Sequence, residues 1–160
     1  MTAKALKRKT VAGKARPVKR VRYTVFISHS SRDLWIAQQL ARSIEATGAG
    51  YVLDKRDFEG GRNIRDEISR GVRESQEVLV LLSPNSKAAR WVIFEVGAAS
   101  LGRRHLTPVL YSVEPKDKDL EIIADLISID LNSEFDQKYL ADLRKRIAKW
   151  TAGKSKKKMK

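Results

Sequence analysis

The run Val78-Leu79-Val80-Leu81-Leu82 constrains this chain more than any other segment, because it is apolar without a break and ends at Ser83-Pro84. A strand with one wet face alternates apolar and polar residues, so an unbroken run is what a central strand buried on both faces requires. Covering both faces takes helices on each side, which points to an α/β fold around a parallel sheet.

The rest of the chain supplies matching pieces. Tyr23–Ile27 is β-rich and ends in the polar cluster Ser28-His29-Ser30-Ser31. Leu34, Ala37, Leu40, Ala41 and Ile44 then recur at helical spacing until Gly48 stops the pattern. Tyr51–Leu53 reads as a second strand, followed by a charged loop, Asp54 to Asn63, with a glycine pair at Gly60-Gly61. Ile64, Ile68 and Val72 mark a helix starting after Asn63, a suitable N-cap. After Ser83-Pro84 a third helix is expected, with Asn85 or Ser86 as its cap. Leu106–Leu110 is a fourth strand, Ile127–Ile129 a weaker fifth, and Phe135 to Trp150 a last helix with Leu140, Leu143 and Ile147 facing inward. Trp35 and Trp150 read as core or helix-packing residues.

Charge divides the chain into three parts. Residues 1–22 hold nine Lys/Arg and no acid, and residues 151–160 hold five Lys and no acid, while 23–150 balance 19 basic against 19 acidic residues. The formal charge of +14 therefore belongs to the tails and not to the body. A basic, disordered N-terminal tail over 1–22, one domain over 23–150 and a lysine-rich, disordered tail over 151–160 are expected, since the tails lack apolar residues to fold around. Through them the chain is open to salt-sensitive contact with nucleic acid or an anionic membrane. Zero cysteines exclude disulfides and thiol chemistry, and with only His29 and His105 a metal site is not expected. Neither a membrane span nor a signal-peptide core is visible, which predicts a cytoplasmic protein.

One residue breaks the pattern. Glu95 lies on the apolar stripe of the third helix, where its neighbours three and four away are Trp91, Val92, Ala98 and Ala99. A carboxylate dehydrated among such neighbours costs several kcal/mol, roughly, or shifts its pKa upward. Two readings stand: a functional acid, or an acid at the stripe's edge that meets water or an arginine such as Arg56 or Arg62. In a parallel sheet, ligands gather at the carboxyl ends of the strands. The loops after Phe26, Leu53 and Leu82 should converge there, with Glu95 beside them.

Taken in order, Phe26-Ile27-Ser28-His29-Ser30, Arg56-Asp57-Phe58-Glu59-Gly60-Gly61, Ser75, Val80-Leu81-Leu82-Ser83, and Trp91 with Glu95 resemble the Toll/interleukin-1 receptor (TIR) domain. The likeness covers about residues 22–150 and is of the bacterial type. It implies a flavodoxin-like, three-layer α/β fold with a five-stranded parallel sheet and helices on both faces. Two activities come with the resemblance. Some members cleave NAD+ at the nicotinamide–ribose bond, giving ADP-ribose or a cyclic ADP-ribose signal, in several bacterial cases in antiphage defence. Others are adaptors or interfere with signalling by binding other TIR domains.

In the enzymatic members the essential glutamate ends a Trp-x-x-x-Glu segment, which on this chain is Glu95. Nicotinamide departs neutral from a cationic pyridinium, so the leaving group needs no general acid, unlike an ordinary glycoside. A single carboxylate then suffices to stabilise the ribosyl cation. The other candidates each carry two readings. Phe26 either stacks on a base or fills the core; Ser28 and Ser83 either bond ribose and phosphate or cap turns. Arg56 and Arg62 either hold the diphosphate or sit in a solvated loop, and Trp91 either walls the pocket or packs inside. NAD+ enters as substrate, with no cofactor expected. Self-association, another TIR domain, and a separately encoded sensor or effector are the expected partners. Two features exclude neighbouring functions. Glu59-Gly60-Gly61-Arg62 lacks the spacing and ending of a phosphate loop, and Ser28-His29-Ser30-Ser31 stands where a receiver domain needs an acidic cluster. Gly60-Gly61 also departs from the Pro-Gly common in that loop of the family, which loosens it.

Overall fold

The computed structural model describes residues 22–53, 64–86, 104–114, 126 and 128–158, with backbone alone at 64–68 and 156–158. Five strands form one sheet: β1 (Thr24–Ser28), β2 (Gly50–Leu53), β3 (Glu77–Leu82), β4 (His105–Leu110) and β5 (Ile129–Asp130). Their order is β2-β1-β3-β4-β5 and every pairing is parallel. The apolar run singled out in the sequence is β3, buried along its whole length between β1 and β4. The weak fifth strand forms two residues later than the sequence suggests, at Ile129–Asp130.

Alternation along β1 sorts its side chains between two layers. Tyr23, Val25 and Ile27 join Leu79, Leu81 and Val109 in a core closed by Ala37, Leu40, Ala41 and Ile44 of α1 (Leu34–Glu45), and by Leu140 and Leu143 of α3 (Leu140–Lys158). Phe26, Val78, Val80, Leu82 and Leu110 face the other way, against Val72 of α2 (Ile64–Glu74). Helices therefore cover both faces, the three-layer arrangement that a continuous apolar strand demands. Gly48 stops α1 as its sequence position indicates: it takes φ +91°, a left-handed conformation that a side chain would resist.

Three expectations need correction. Trp35 is 71% exposed and not packed, because it sits on α1 roughly 200° around the axis from Ala37, the first residue of the buried stripe. Leu34 is on that stripe but at the first position of α1, one turn before Ala37, and is 45% exposed. The expected disordered tail from 151 is instead the continuation of α3 as far as Lys158. Ala and Lys are good helix formers, and lysines near a helix C-terminus favour its negative dipole end. Thr151 and Ser155 also donate hydroxyl hydrogen bonds to the carbonyls one turn back, at Ile147 and Thr151. Trp150 does pack, its ring standing edge-on to Tyr23 at 5.8 Å.

Candidate functional site

In the order β2-β1-β3-β4-β5 the chain steps outward in opposite directions from β1, so the loops after β1 and β3 part to opposite faces of the sheet. This switch point is where parallel sheets of this order take ligands. Ser28 ends β1 and pairs in register with Val80, and Ser83 follows β3, so two residues proposed from sequence lie at the same end of neighbouring strands. Both are fully buried, as are His29, Ser86 and Asp33.

Asp33 organises the cluster. It directly precedes α1, where an acid would ordinarily cap the helix, yet its side chain makes no cap bond. It reaches across the sheet end instead. The Ser83 hydroxyl donates to one carboxylate oxygen at 2.5 Å and the Asn85 amide side chain donates to the other at 2.7 Å. Ser83 Oγ in turn accepts from the Asn85 backbone N–H at 3.0 Å. Ser86 Oγ accepts from the Ser83 backbone N–H and donates to its carbonyl, both at 2.9 Å, which closes the 3-10 turn Pro84–Ser86. The loops after β1 and β3 are thus riveted together by side chains, which gives the switch point a fixed polar floor. His29 adds a longer contact, Nδ1 to the Ile27 carbonyl at 3.4 Å.

This geometry changes the assignments. Ser83 donates its hydroxyl proton to Asp33, which accords with the turn-capping reading of it. Phe26 belongs to the core. Its ring lies 2% exposed against α2, so close that a Cβ on Gly71 would come within 2.3 Å of it, and the stacking reading is corrected accordingly. Asp33 was not visible as a site residue because its sequence position is that of an ordinary helix cap; only the register of β1 with β3 brings it to Ser83. Arg56, Arg62, Trp91, Glu95 and the Gly60-Gly61 pair lie outside the described residues. The segment bearing Trp91 and Glu95 departs from Ser86, at the switch-point end, and rejoins the described chain at Arg104, at the opposite end. Among the described residues no group of three or more His, Asp or Glu stands together to hold a metal.

A second polar cluster lies at the amino ends of the strands. Glu77, at the start of β3, is completely buried and accepts hydrogen bonds from the hydroxyls of Tyr23 and Tyr139, each at 2.9 Å. Arg146 of α3 binds it through both nitrogens, Nε at 3.0 Å and Nη2 at 2.9 Å. Each Glu77 oxygen is thereby doubly satisfied, the condition for a tolerable buried carboxylate. Burial, and then the Glu77 charge, push both tyrosine hydroxyls well above their ordinary pKa. This cluster fastens α3 to the sheet, far from the switch point.

Comparison with known proteins agrees with the fold. A family model described as "TIR domain" matches residues 25–146. Human Toll-like receptor 1 is 29% identical over 77 residues, covering 48% of this chain and 10% of the receptor. Toll-like receptor 2 of Bison bison is 27% identical over 108 residues, covering 64% of the chain and 14% of the receptor. The chain thus spans about a tenth to a seventh of the length of these curated relatives. Among solved structures, the TIR domain of a Toll-related receptor from Hydra magnipapillata superposes with a TM-score of 0.58 at 17% identity, over 78% of this chain and 97% of that one. A metazoan TIR-STING receptor from C. gigas gives 0.55 at 24% identity, over 83% of this chain and 42% of that one. With the parallel five-stranded sheet in the order described and a family match across most of its length, the chain belongs to the TIR domain family.

Proposed function

We propose that this TIR domain cleaves NAD+ at the nicotinamide–ribose bond, with Glu95 as the catalytic carboxylate. The observation that carries the reading is the riveted polar floor at the β1/β3 switch point, because that is where such sheets take nucleotides and where the segment bearing Trp91 and Glu95 begins. The Trp91-x-x-x-Glu95 spacing supports it from the sequence side.

In this reading the C1′–N bond breaks and its electron pair passes to the pyridinium ring, so nicotinamide leaves neutral. Glu95 stabilises the ribosyl cation by charge and by holding ribose hydroxyls. Water then attacks C1′ and loses its proton to give ADP-ribose, or a nucleophile within the ADP-ribose itself attacks and closes a ring. Arg56 and Arg62 hold the diphosphate through two-pronged bonds, Trp91 walls the pocket, and Ser28 lies beneath the ribose. NAD+ is the substrate, and no further cofactor is required. A cytoplasmic setting and a part in antiphage defence belong to the same proposal. Among the described residues no helix is long and apolar enough to cross a membrane.

Mass spectrometry of the purified protein incubated with NAD+, alone and under crowding, tests this. Nicotinamide with linear or cyclic ADP-ribose is expected; intact NAD+ under every condition that assembles the protein would count against it. A second reading, a binding module without turnover, draws on the exposed Leu34 and Trp35 at the switch-point end of α1. An exposed tryptophan beside a leucine is a common anchor of protein interfaces. A TIR domain heterodimer of RPS4 and RRS1 is among the similar folds, with a TM-score of 0.54 at 12% identity. Stable binding to a TIR domain in the absence of turnover would favour that reading.

A further inference from the structure

Exposed cations among the described residues gather at one end of the sheet. All five strands begin at the same pole, and α1, α2 and α3 each end there, because each helix runs back against the sheet. The exposed cations Arg42 and Arg73 lie in the last turns of α1 and α2. Arg22 precedes β1, and Arg104 precedes β4, where its guanidinium donates to the Arg73 carbonyl at 2.7 Å. Lys149 and Lys154 lie on α3, Lys154 with its ammonium 4.2 Å above the Trp150 ring. Among the described residues the acids that reach solvent at this pole are Glu45, Glu74 and Asp142, the last paired with Lys145 at 2.9 Å; Glu77 is buried and held by Arg146.

Two further observations extend this pole. Beyond Trp150 the helix continues to Lys158, and Thr151 to Ser155 are all exposed, so about 7 Å of helix bearing Lys154 stands clear of the body. Tyr23 packs edge-on against Trp150 at 5.8 Å, which sets the exposed Arg22 beside the root of that helix.

We propose that this pole is a docking surface for the phosphate backbone of double-stranded nucleic acid, read without regard to sequence. A rod of lysines on a basic platform matches a polyanion of closely spaced phosphates, and release of condensed counterions supplies the affinity. A lipid surface fits less well. The exposed large apolar residues among those described are Leu34, Trp35 and Tyr51, and none of them is on α3 to enter a bilayer. Stacking on single strands is equally unsupported there, since Trp150 is half-buried beneath Lys154. The surface is at the opposite pole from the switch point, so its occupation is independent of the proposed chemistry.

The test uses the full chain and a fluorescent DNA duplex of random sequence about 24 base pairs long, titrated at several NaCl concentrations. Lys149, Lys154, Lys156, Lys157 and Lys158 of α3 set a log–log slope no shallower than about −4.5, or a loss of affinity of roughly five-hundred-fold between about 50 and 200 mM salt. Lys154→Gln, Lys156→Gln, Lys157→Gln and Lys158→Gln together should weaken binding at least about tenfold and flatten the slope by between 3 and 4, roughly, while arginine at the same four positions retains both. Circular dichroism keeps loss of helix distinct from loss of charge. Unchanged affinity of the glutamine variant, binding insensitive to salt, or capture by phosphatidylserine vesicles with none by the duplex would each overturn the proposal.

Discussion

Single atoms decide several properties of this domain. Gly71 has no side chain because the Phe26 ring fills that space, so Gly71→Ala should destabilise the fold by about 1–3 kcal/mol in a denaturant titration. Phe26→Leu in the same chain should recover part of the loss, since the clash is with ring atoms. At the switch point Ser83→Ala leaves Asp33 buried with one donor fewer, costing about 1–3 kcal/mol. Tyr23 and Tyr139 give a pH signature. Their folded pKa values lie above the ordinary 10.0, so from about pH 10 upward the unfolded chain loses protons that the folded one retains, and stability falls as pH rises. Tyr139→Phe should flatten that alkaline loss while weakening the fold at neutral pH, where its bond to Glu77 is missing. A urea midpoint unchanged by the substitution at both pH values would contradict this placement of Tyr139.

At the scale of elements, the chain's pattern was most legible where one physical cause dominates. The continuous apolar run could only be an interior strand, and β3 is that strand. The periodicity of Ala37, Leu40, Ala41 and Ile44 identified the buried face of α1, and Gly48 its end. At an element's first position periodicity carries no such information: Leu34 fits the stripe and still faces water. The reach of α3 was hidden for a related reason, because a lysine-rich stretch reads as solvated whether or not it is helical. The ends of β1 and β3 were legible as a place, whereas Asp33, which ties Ser83 and Asn85 to the start of α1, depends on a register that only the folded sheet sets. The anchoring of α3 is also non-local, since Arg146 crosses to Glu77. Arg146→Met should cost about 3–5 kcal/mol, measured by thermal unfolding, because a buried carboxylate then loses its counter-charge.

For the molecule as a whole, the two poles of the sheet divide the labour. The carboxyl ends of the strands hold the polar floor from which the Trp91–Glu95 segment departs, and the amino ends hold a buried ionic anchor beneath a basic surface. Salt should act on the anchor and the surface differently: it should weaken contact at the basic pole steeply, while the buried Glu77–Arg146 pair is screened little and the melting temperature changes little. The central proposal is that one carboxylate, Glu95, supports cleavage of a glycosidic bond. Its most direct test is nicotinamide release from NAD+ by the wild-type chain and by Glu95→Gln, under assembling conditions and with matched unfolding curves. Release by the wild type and its loss in the variant is the predicted result; release at the same rate by both would contradict the account.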